Sequence, residues 1–387
     1  MIPIGKTYFD EDDFKAVVEP LKSGWVIQGK FVNEFENLFS AYTGVKNSIA
    51  VSSCTTALQL VVAAMNLKEG DEVLIPAFTW IATANAVEYT GAKPVFVDID
   101  LSTFNIDVNK IEEKITSRTK GIIPVHLFGL CADMDAVTSI AKKHNLFIIE
   151  DAACALGSYY KGVHCGGFGE YGCFSFHPRK SITTGEGGMI TTNDEKKSQL
   201  CRSLRNHGVG NAAQGNYSFL LNEYDNLGYN FRMTDIQGAL GVSQINKINF
   251  LLKERKRIAD SYNEMLKDVE LLKLPKEDEA YIHSYQSYVC LYSPEEVNEG
   301  NLDSIFEKRN EIMSKLEASG VMTRQGTHSV PHQNYYKKKY SIKDRDCLNA
   351  LAAEKSTIAL PLYAGMKDEE IDLVVKELKS SLKTTVY

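Results

Sequence analysis

The sequence predicts an α/β protein, with a mostly parallel mixed sheet in a large domain over residues 1–255 and a smaller α+β domain over residues 256–387. Three observations predict it. Short apolar runs rich in Val and Ile, each bounded by turn residues, recur through the first half of the chain, which is how buried strands read. Helical patterns lie between them, and strand-helix alternation is the pattern of a parallel sheet covered on both faces. From about Asn263 the alternation gives way to a looser mix of strands and amphipathic helices, and 387 residues suffice for two such units.

Taken in order, the N-terminal segment passes a turn at Ser23-Gly24 and enters an amphipathic helix from Lys30. The strand runs are SIAVSS, EVLIPAF, KPVFVDID, GIIPVHLFG and LFIIEDAA, and the helices between them include TTALQLVVAAMNL, IATANAVEYTG and DMDAVTSIAKKH. CFSF is a further strand, broken by His177-Pro178, and MITT is another, entered through the flexible GEGG. GNAAQGN is expected as a loop, and one long helix is expected from near Thr234 past Arg255. In the second unit LLKLP, SYQSYVCLYS and KSTIALPLY read as strands, and LDSIFEKRNEIMSKLEAS and DEEIDLVVKELKSSL as helices.

Composition removes several classes of function. Apolar residues at 44% and charged residues at 24% are ordinary for a globular protein, and a net charge of -7 gives no general affinity for nucleic acid. The start MIPIGKTYFDEDDF has no apolar run long enough for a signal peptide. No stretch reaches the roughly 18 apolar residues of a membrane span, so a cytoplasmic protein is expected. Eight cysteines are scattered without a CxxC pair or a zinc-ligand ladder. They read as reduced thiols, and no metal site is expected.

The chemistry-bearing residues fall at predicted carboxyl ends of strands, where open α/β sheets gather their ligands. Ser52-Ser53-Cys54-Thr55 follows one strand and opens a helix, so it serves either as an N-cap or as an anion site. Trp80 follows the next strand, where it stacks on an aromatic ligand or fills core. Asp151 ends LFIIE, a costly place for a carboxylate unless it meets a partner such as a protonated pyridine nitrogen, a helix terminus or a cation. Lys180 sits in a turn after CFSF, near the hydroxyls of Ser181, Thr183 and Thr184. A lysine presented there can form a Schiff base with an aldehyde, although most lysines are simply solvated. Gly166-Gly167 and Gly185 to Gly188 match neither a dinucleotide fingerprint nor a P-loop.

Together, SFHPRKSITTGEGGMITTND, IIEDAACALGS, GYNFRMTDIQGALG, PAFTWIATANAVEYTGAKPVFVDID and SSCTTALQL resemble the DegT/DnrJ/EryC1/StrS sugar aminotransferases, in a fixed order over most of residues 1–260 and more loosely through TRQGTHSVPHQNYY. The resemblance implies a pyridoxal-phosphate transferase of fold type I working as a homodimer. It implies that Lys180 carries pyridoxal phosphate as a Schiff base, that Asp151 contacts the pyridine nitrogen and that Trp80 stacks on the ring. Cys54, Thr55 and Ser175 would hold the phosphate, with Asn230 reaching it from the partner subunit. The family often carries Gln or His at Cys154, near the cofactor's phenolic oxygen, and a thiol is a weaker hydrogen-bond partner. Glutamate is the implied donor and a nucleotide-linked 4-keto-6-deoxy sugar the implied acceptor, with a keto-inositol or a small phosphorylated ketone as alternatives. Acceptor contacts are sought at Trp25 to Lys30, His177, Arg232 and Gln325 to His328. Dehydratases of the same fold carry histidine where Lys180 stands, which favours amino transfer. A non-catalytic regulator would need an added nucleic-acid or membrane module.

Overall fold

A computed structural model describes residues 1–210, 222–276, 278–343 and 345–386. Of the expected loop GNAAQGN, residues 211–216 lie outside the described residues. In chain order the strands of the first half are β1 (Asn47–Val51), β2 (Glu72–Pro76), β3 (Phe78–Thr79), β4 (Lys93–Val97), β5 (Thr119–Ile122), β6 (Phe147–Asp151), β7 (Tyr159–Tyr160), β8 (Val163–His164), β9 (Tyr171–Ser175) and β10 (Gly188–Thr192). One sheet takes the order β1-β10-β9-β6-β5-β2-β4. Its members from β9 to β4 are parallel neighbours, and β10 runs antiparallel to β9 and β1 on either side of it.

Alternate residues of each strand enter different cores. Ile49, Val51, Val73, Ile75 and Ile149 point into one apolar cluster. Ala50, Leu74 and Ile148 point into the other. Both faces are thus dry, which is why these strands read as unbroken apolar runs. Among the helices α1 (Glu11–Ser23), α2 (Lys30–Thr43), α3 (Cys54–Ala64), α4 (Ala82–Glu88), α5 (Met134–His144) and α6 (Glu195–Arg205), α3, α4 and α6 feed the first cluster, and α2 and α5 the second. Gly24, at φ 73°, ends α1 in the left-handed conformation that glycine adopts without strain.

The single helix expected from Thr234 past Arg255 is two helices, α7 (Asp235–Asn246) and α8 (Ile248–Leu266). The ladder breaks at Lys247, with φ -107° and ψ 9°. There the ammonium group is drawn to Asp10 and to the buried Asp13, the latter at 2.9 Å. Helical periodicity continues through the break, so sequence does not show it.

After α8 come β11 (Leu272–Lys273), β12 (Tyr281–Ile282), β13 (Tyr288–Tyr292), α9 (Leu302–Ala318), β14 (His328–Ser329), α10 (Asn334–Tyr340), α11 (Leu348–Ser356), β15 (Thr357–Leu360) and α12 (Asp368–Val386). The antiparallel sheet β11-β13-β15 shares a core with α8, α9 and α12. Residue 255 lies inside α8, and several segments join the two units. β12 pairs with β7, and β14 pairs with β3. Ile2 bridges Val321 and belongs to the smaller core.

β1 is the edge of the main sheet and needs its outer peptide groups satisfied. Glu36 of α2, 4% exposed, accepts the Ala50 N–H at 2.9 Å and pairs with Arg205 at 2.7 Å and Arg202 at 2.6 Å. Arg205 in turn donates to the Ala50 carbonyl at 2.6 Å. Two side chains therefore complete the edge just before the chain enters the site. Glu36→Ala leaves a buried guanidinium unpaired and is expected to cost about 3–5 kcal/mol. Urea unfolding of the cofactor-saturated protein measures this, and an unchanged midpoint would show that the pair contributes nothing.

Candidate active site

The parallel strands β1, β2, β6 and β9 end along one edge of the sheet, and β10 begins there at Gly188. A cavity of about 320 Å³ opens over that edge, with its far wall supplied by residues 324–327 and 359–362 of the smaller unit. Cys54, Thr55, Trp80, Asp151, Cys154 and Ser175 line it, as do His177, Lys180 and Gln325.

Asp151 ends the central strand β6 and is 5% exposed. One carboxylate oxygen accepts the Thr83 hydroxyl at 2.7 Å and the other the Ala153 N–H at 3.2 Å. Burial raises its pKa above the ordinary carboxylate range; Thr83, Ala153 and the charge of Lys180 offset part of that rise. Sequence does not reveal Thr83, on the first turn of α4, because the contact spans 68 positions. Behind this group Glu150 accepts the N–H groups of Gly166, Phe168 and Gly169 and pairs with His126 at 2.9 Å. His126 Nδ1 accepts the Ala132 N–H at 3.1 Å, so the proton on Nε2 faces Glu150. Cys131 and Cys165 lie close to this ring, but hydrogen bonds engage both its nitrogens, and the cluster reads as core.

At the start of α3, Ser53 caps the helix by accepting the Thr56 N–H at 3.1 Å. Among the described residues no protein acceptor meets the N–H groups of Cys54 and Thr55, which face a helix terminus suited to an anion. The Cys54 thiol is held protonated by burial, so this residue offers its backbone. Gly188 lies flush against this turn: a Cβ there would stand 2.5 Å from the Ser53 carbonyl carbon and 2.6 Å from the Cys54 nitrogen. Ser175 Oγ accepts the His177 N–H at 3.4 Å. Burial, then the charge of Arg179, lowers the pKa of His177.

The turn after β9 carries Lys180, whose N–H donates to the His177 carbonyl at 2.8 Å. Its Nζ lies 3.1 Å from Cys154 Sγ. Arg255 is buried and donates to the carbonyls of Lys180 at 3.1 Å, Gln286 at 3.0 Å and Tyr285 at 3.4 Å. Burial without an acidic partner lowers its pKa to about 10. Gln286 adds a bond to the Arg179 carbonyl at 2.8 Å. Arg255 thus fastens the lysine turn to the smaller unit, a role invisible across 75 positions of sequence.

The remaining expected residues stand elsewhere. Trp80 presents its ring at the cavity mouth, 5.6 Å from that of His328. His328 pairs with Thr79 and lies outside the cavity wall. Trp25 is 56% exposed and donates to the Gln28 carbonyl, and Lys30 lies over Phe31. Arg232 binds Asn206 at 2.5 Å, and Asn230 is exposed. These four do not line this chain's own cavity.

The donor set fits pyridoxal phosphate. A buried carboxylate matches a pyridinium N–H, two unpaired N–H groups at a helix start match a phosphate, and a primary amine matches an aldehyde. The fold and this constellation define a pyridoxal-phosphate-dependent aminotransferase of fold type I. The model of the DegT/DnrJ/EryC1/StrS aminotransferase family matches residues 7–379, and the chain belongs to that family. It is 37% identical over 384 residues to the GDP-perosamine synthase of Caulobacter vibrioides, covering 98% of each chain. It is 36% identical to the spore coat polysaccharide biosynthesis protein SpsC of Bacillus subtilis, over 99% of this chain and 97% of that one. Among solved structures, Spr1654 of Streptococcus pneumoniae in its PMP form superposes with a TM-score of 0.93 at 29% identity, with full coverage of both chains. Helicobacter pylori PseC, an aminotransferase involved in the biosynthesis of pseudoaminic acid, gives 0.91 at 28% identity over 99% of both.

Because the Asp151 pKa is raised in the fold, its contribution to the cofactor-free protein is present at acid pH and is lost as pH rises through that raised value. Asp151→Asn should therefore stabilise the cofactor-free protein at neutral pH, by about 1 kcal/mol, while weakening cofactor binding. Melting curves from pH 5 to 8, with and without pyridoxal phosphate, separate the two effects; a destabilised cofactor-free variant would contradict this account.

Proposed function

We propose that this aminotransferase moves the amino group of glutamate to a nucleotide-linked 4-keto-6-deoxy sugar. The observation that carries the reading is a lysine amine held in the same cavity as a buried carboxylate and an anion-binding helix start. The names of the GDP-perosamine synthases and of PseC support a sugar acceptor.

When bound, pyridoxal phosphate supplies an electron-withdrawing ring that stabilises negative charge on the donor carbon. In this reading Asp151, oriented by Thr83 and Ala153, keeps the ring nitrogen protonated. The N–H groups of Cys54 and Thr55, with Ser175, would hold the phosphate, and Trp80, also on the cavity wall, would cover the ring. Lys180 Nζ would hold the aldehyde, and as a free amine it would move the proton from the donor carbon. Cys154, 3.1 Å from Lys180 Nζ, would meet the phenolic oxygen with a weak thiol contact. His177 and Gln325 remain as acceptor contacts on the cavity wall.

The same reading includes a homodimer and a cytoplasmic location. Phe14, Val18 and Leu21 form an exposed apolar stripe on α1, continued by Trp25, Val26 and Ile27, which suits burial against a second copy. Asn230, Trp25, Lys30 and Arg232 would then serve the partner's cavity, while His328 backs Trp80 at this chain's own. No helix among the described residues is long and apolar enough to cross a membrane, and the eight cysteines are free.

Borohydride reduction of the holoenzyme should fix the cofactor on Lys180, and Lys180→Ala should bind cofactor with turnover reduced about 1,000-fold or more. Label on another lysine would remove the central assignment. Mixing Lys180→Ala with Asn230→Ala subunits should restore part of the activity, because one shared site regains both residues; assay of the mixture checks this. For the acceptor, nucleotide-linked keto sugars are offered to the amine form of the enzyme, and recovery of the aldehyde form is followed by absorbance. Recovery with non-nucleotide ketones alone would reject the proposed acceptor.

A further inference from the structure

One wall of the cavity brings a thiol to the amine of Lys180. Cys154 Sγ and Lys180 Nζ lie 3.1 Å apart, and both residues line the cavity. Neither end of this contact is loose. On the thiol side the chain leaves β6 through a tight turn, where the Ala152 N–H donates to the Cys173 carbonyl and the Ala155 N–H to the Ala152 carbonyl, both at 2.9 Å. The Ser284 hydroxyl donates to the Cys154 carbonyl at 3.4 Å. On the amine side the Lys180 N–H is bonded to the His177 carbonyl, and the Lys180 carbonyl to Arg255. Two nucleophiles on separate, pinned turns therefore stand within the roughly 3–3.5 Å at which reacting atoms meet.

The other thiols lack one half of this arrangement. Six of the eight cysteines are buried, which leaves Cys154 and Cys347 open to small reagents. Burial, then the charge of Asp98, pushes the Cys347 thiol up to about 12, and its sulfur faces the Phe96 carbonyl at 3.9 Å. Burial likewise holds the Cys54, Cys165 and Cys173 thiols protonated. Cys54 lines the same cavity, and its thiol feels the charges of Lys180 and Cys154. A disulfide between Cys54 and Cys154 is therefore the competing product of oxidation. Cys154 is the thiol that combines access from the cavity with an amine at bonding range.

The chemistry of such a pair is a two-step oxidation by a hydroperoxide. The thiolate of Cys154 attacks the peroxide; the O–O bond breaks, an S–O bond forms, and the alcohol, or water from hydrogen peroxide, leaves. Sulfur is thereby oxidised to a sulfenic acid and the peroxide reduced. A sulfenic acid condenses with a nearby nucleophile, and nitrogen suffices. The neutral amine of Lys180 attacks sulfur, an N–S bond forms, the S–O bond breaks, and hydroxide leaves with an amine proton as water. A small thiol reverses the link: it attacks sulfur, the N–S bond breaks, and the amine takes up a proton. A second thiol then frees Cys154 from the mixed disulfide.

We propose that Cys154 and Lys180 form an oxidant-sensitive pair, in which hydroperoxides join Sγ to Nζ whenever no aldehyde occupies the amine, and small thiols release it. The bond consumes the amine on which cofactor loading depends. Oxidation then closes the empty site to pyridoxal phosphate in a reversible way, and cofactor already held on the lysine protects it. The bond follows from the contact between the two side chains. Its effect on loading rests on the assignment of Lys180 above.

The experiment uses the full chain, as holoenzyme and after removal of the cofactor. Each form is treated with hydrogen peroxide, quenched, and measured by mass spectrometry as intact protein and as peptides. The cofactor-free wild type should lose about 2 Da and yield a peptide pair linked between Cys154 and Lys180, and dithiothreitol should restore the starting mass. The holoenzyme in its aldehyde form should give this product at least about 10-fold more slowly. Cys154→Ser should not form it. Lys180→Ala should not form it either, and should instead carry added oxygen on Cys154, which shows that peroxide reaches the thiol. Oxidised wild type should bind pyridoxal phosphate at least about 10-fold more weakly, followed by absorbance, and should recover with dithiothreitol. Cofactor binding by Cys154→Ser should be the same before and after peroxide. Oxidation of Cys154 in the wild type without the link to Lys180 would overturn the proposal, as would a loss of mass traced to a disulfide between Cys54 and Cys154. A link that forms and leaves cofactor binding intact would overturn the gate and remove the assignment of Lys180, while the bond itself would stand.

Discussion

A carboxylate buried at the end of a central strand imposes a demand on everything near it. Asp151 has a hydroxyl and one N–H as direct partners, and no cation among the described residues is bonded to it. Such a group is tolerable in a fold when a ligand supplies what the protein withholds. The surrounding choices follow from that demand. Glu150, its neighbour in β6, points to the other face and is satisfied by three backbone N–H groups and an imidazole. One residue's alternation along the strand thus separates a carboxylate the fold satisfies from one it leaves for a ligand.

The position of β10 does the complementary work for the helix start at Cys54. By running antiparallel between β1 and β9, it brings a chain start rather than a chain end to the ligand edge. Gly188 can then approach the Ser53-Cys54 peptide at a distance no other residue allows. The edge pairing of Ala50 by Glu36 and Arg205 keeps β1 in register under this turn. The helix start at Cys54 is aimed by a strand pinned on both sides.

Sequence carried the alternating elements, the lysine turn and the strand-end residues because each rests on local pattern: period, turn chemistry and motif. Lys180, Asp151, Cys54, Thr55, Trp80, Cys154 and Ser175 were legible in this way and line one cavity. Thr83 and Arg255 were not, since their significance lies in contacts with residues far away in the chain. The break at Lys247 was hidden for a related reason: it answers to Asp10 and Asp13, not to any proline or glycine. Trp25, Lys30, Asn230 and Arg232 lie outside the single chain's cavity, because a local pattern does not fix which distant segments share a wall.

The strand order also sets a schedule for synthesis. β1 leads into the helix start at Cys54, yet it joins the sheet only through β10, with Asn47 opposite Thr192. Contacts of such long sequence separation close late, because loop entropy opposes them until the intervening chain has collapsed. A ribosome must therefore release residues past Thr192 before the first-made strand of the site has anything to pair with. Until then the chain is an open parallel sheet with an unpaired edge at β9, the form most exposed to strand exchange with its neighbours.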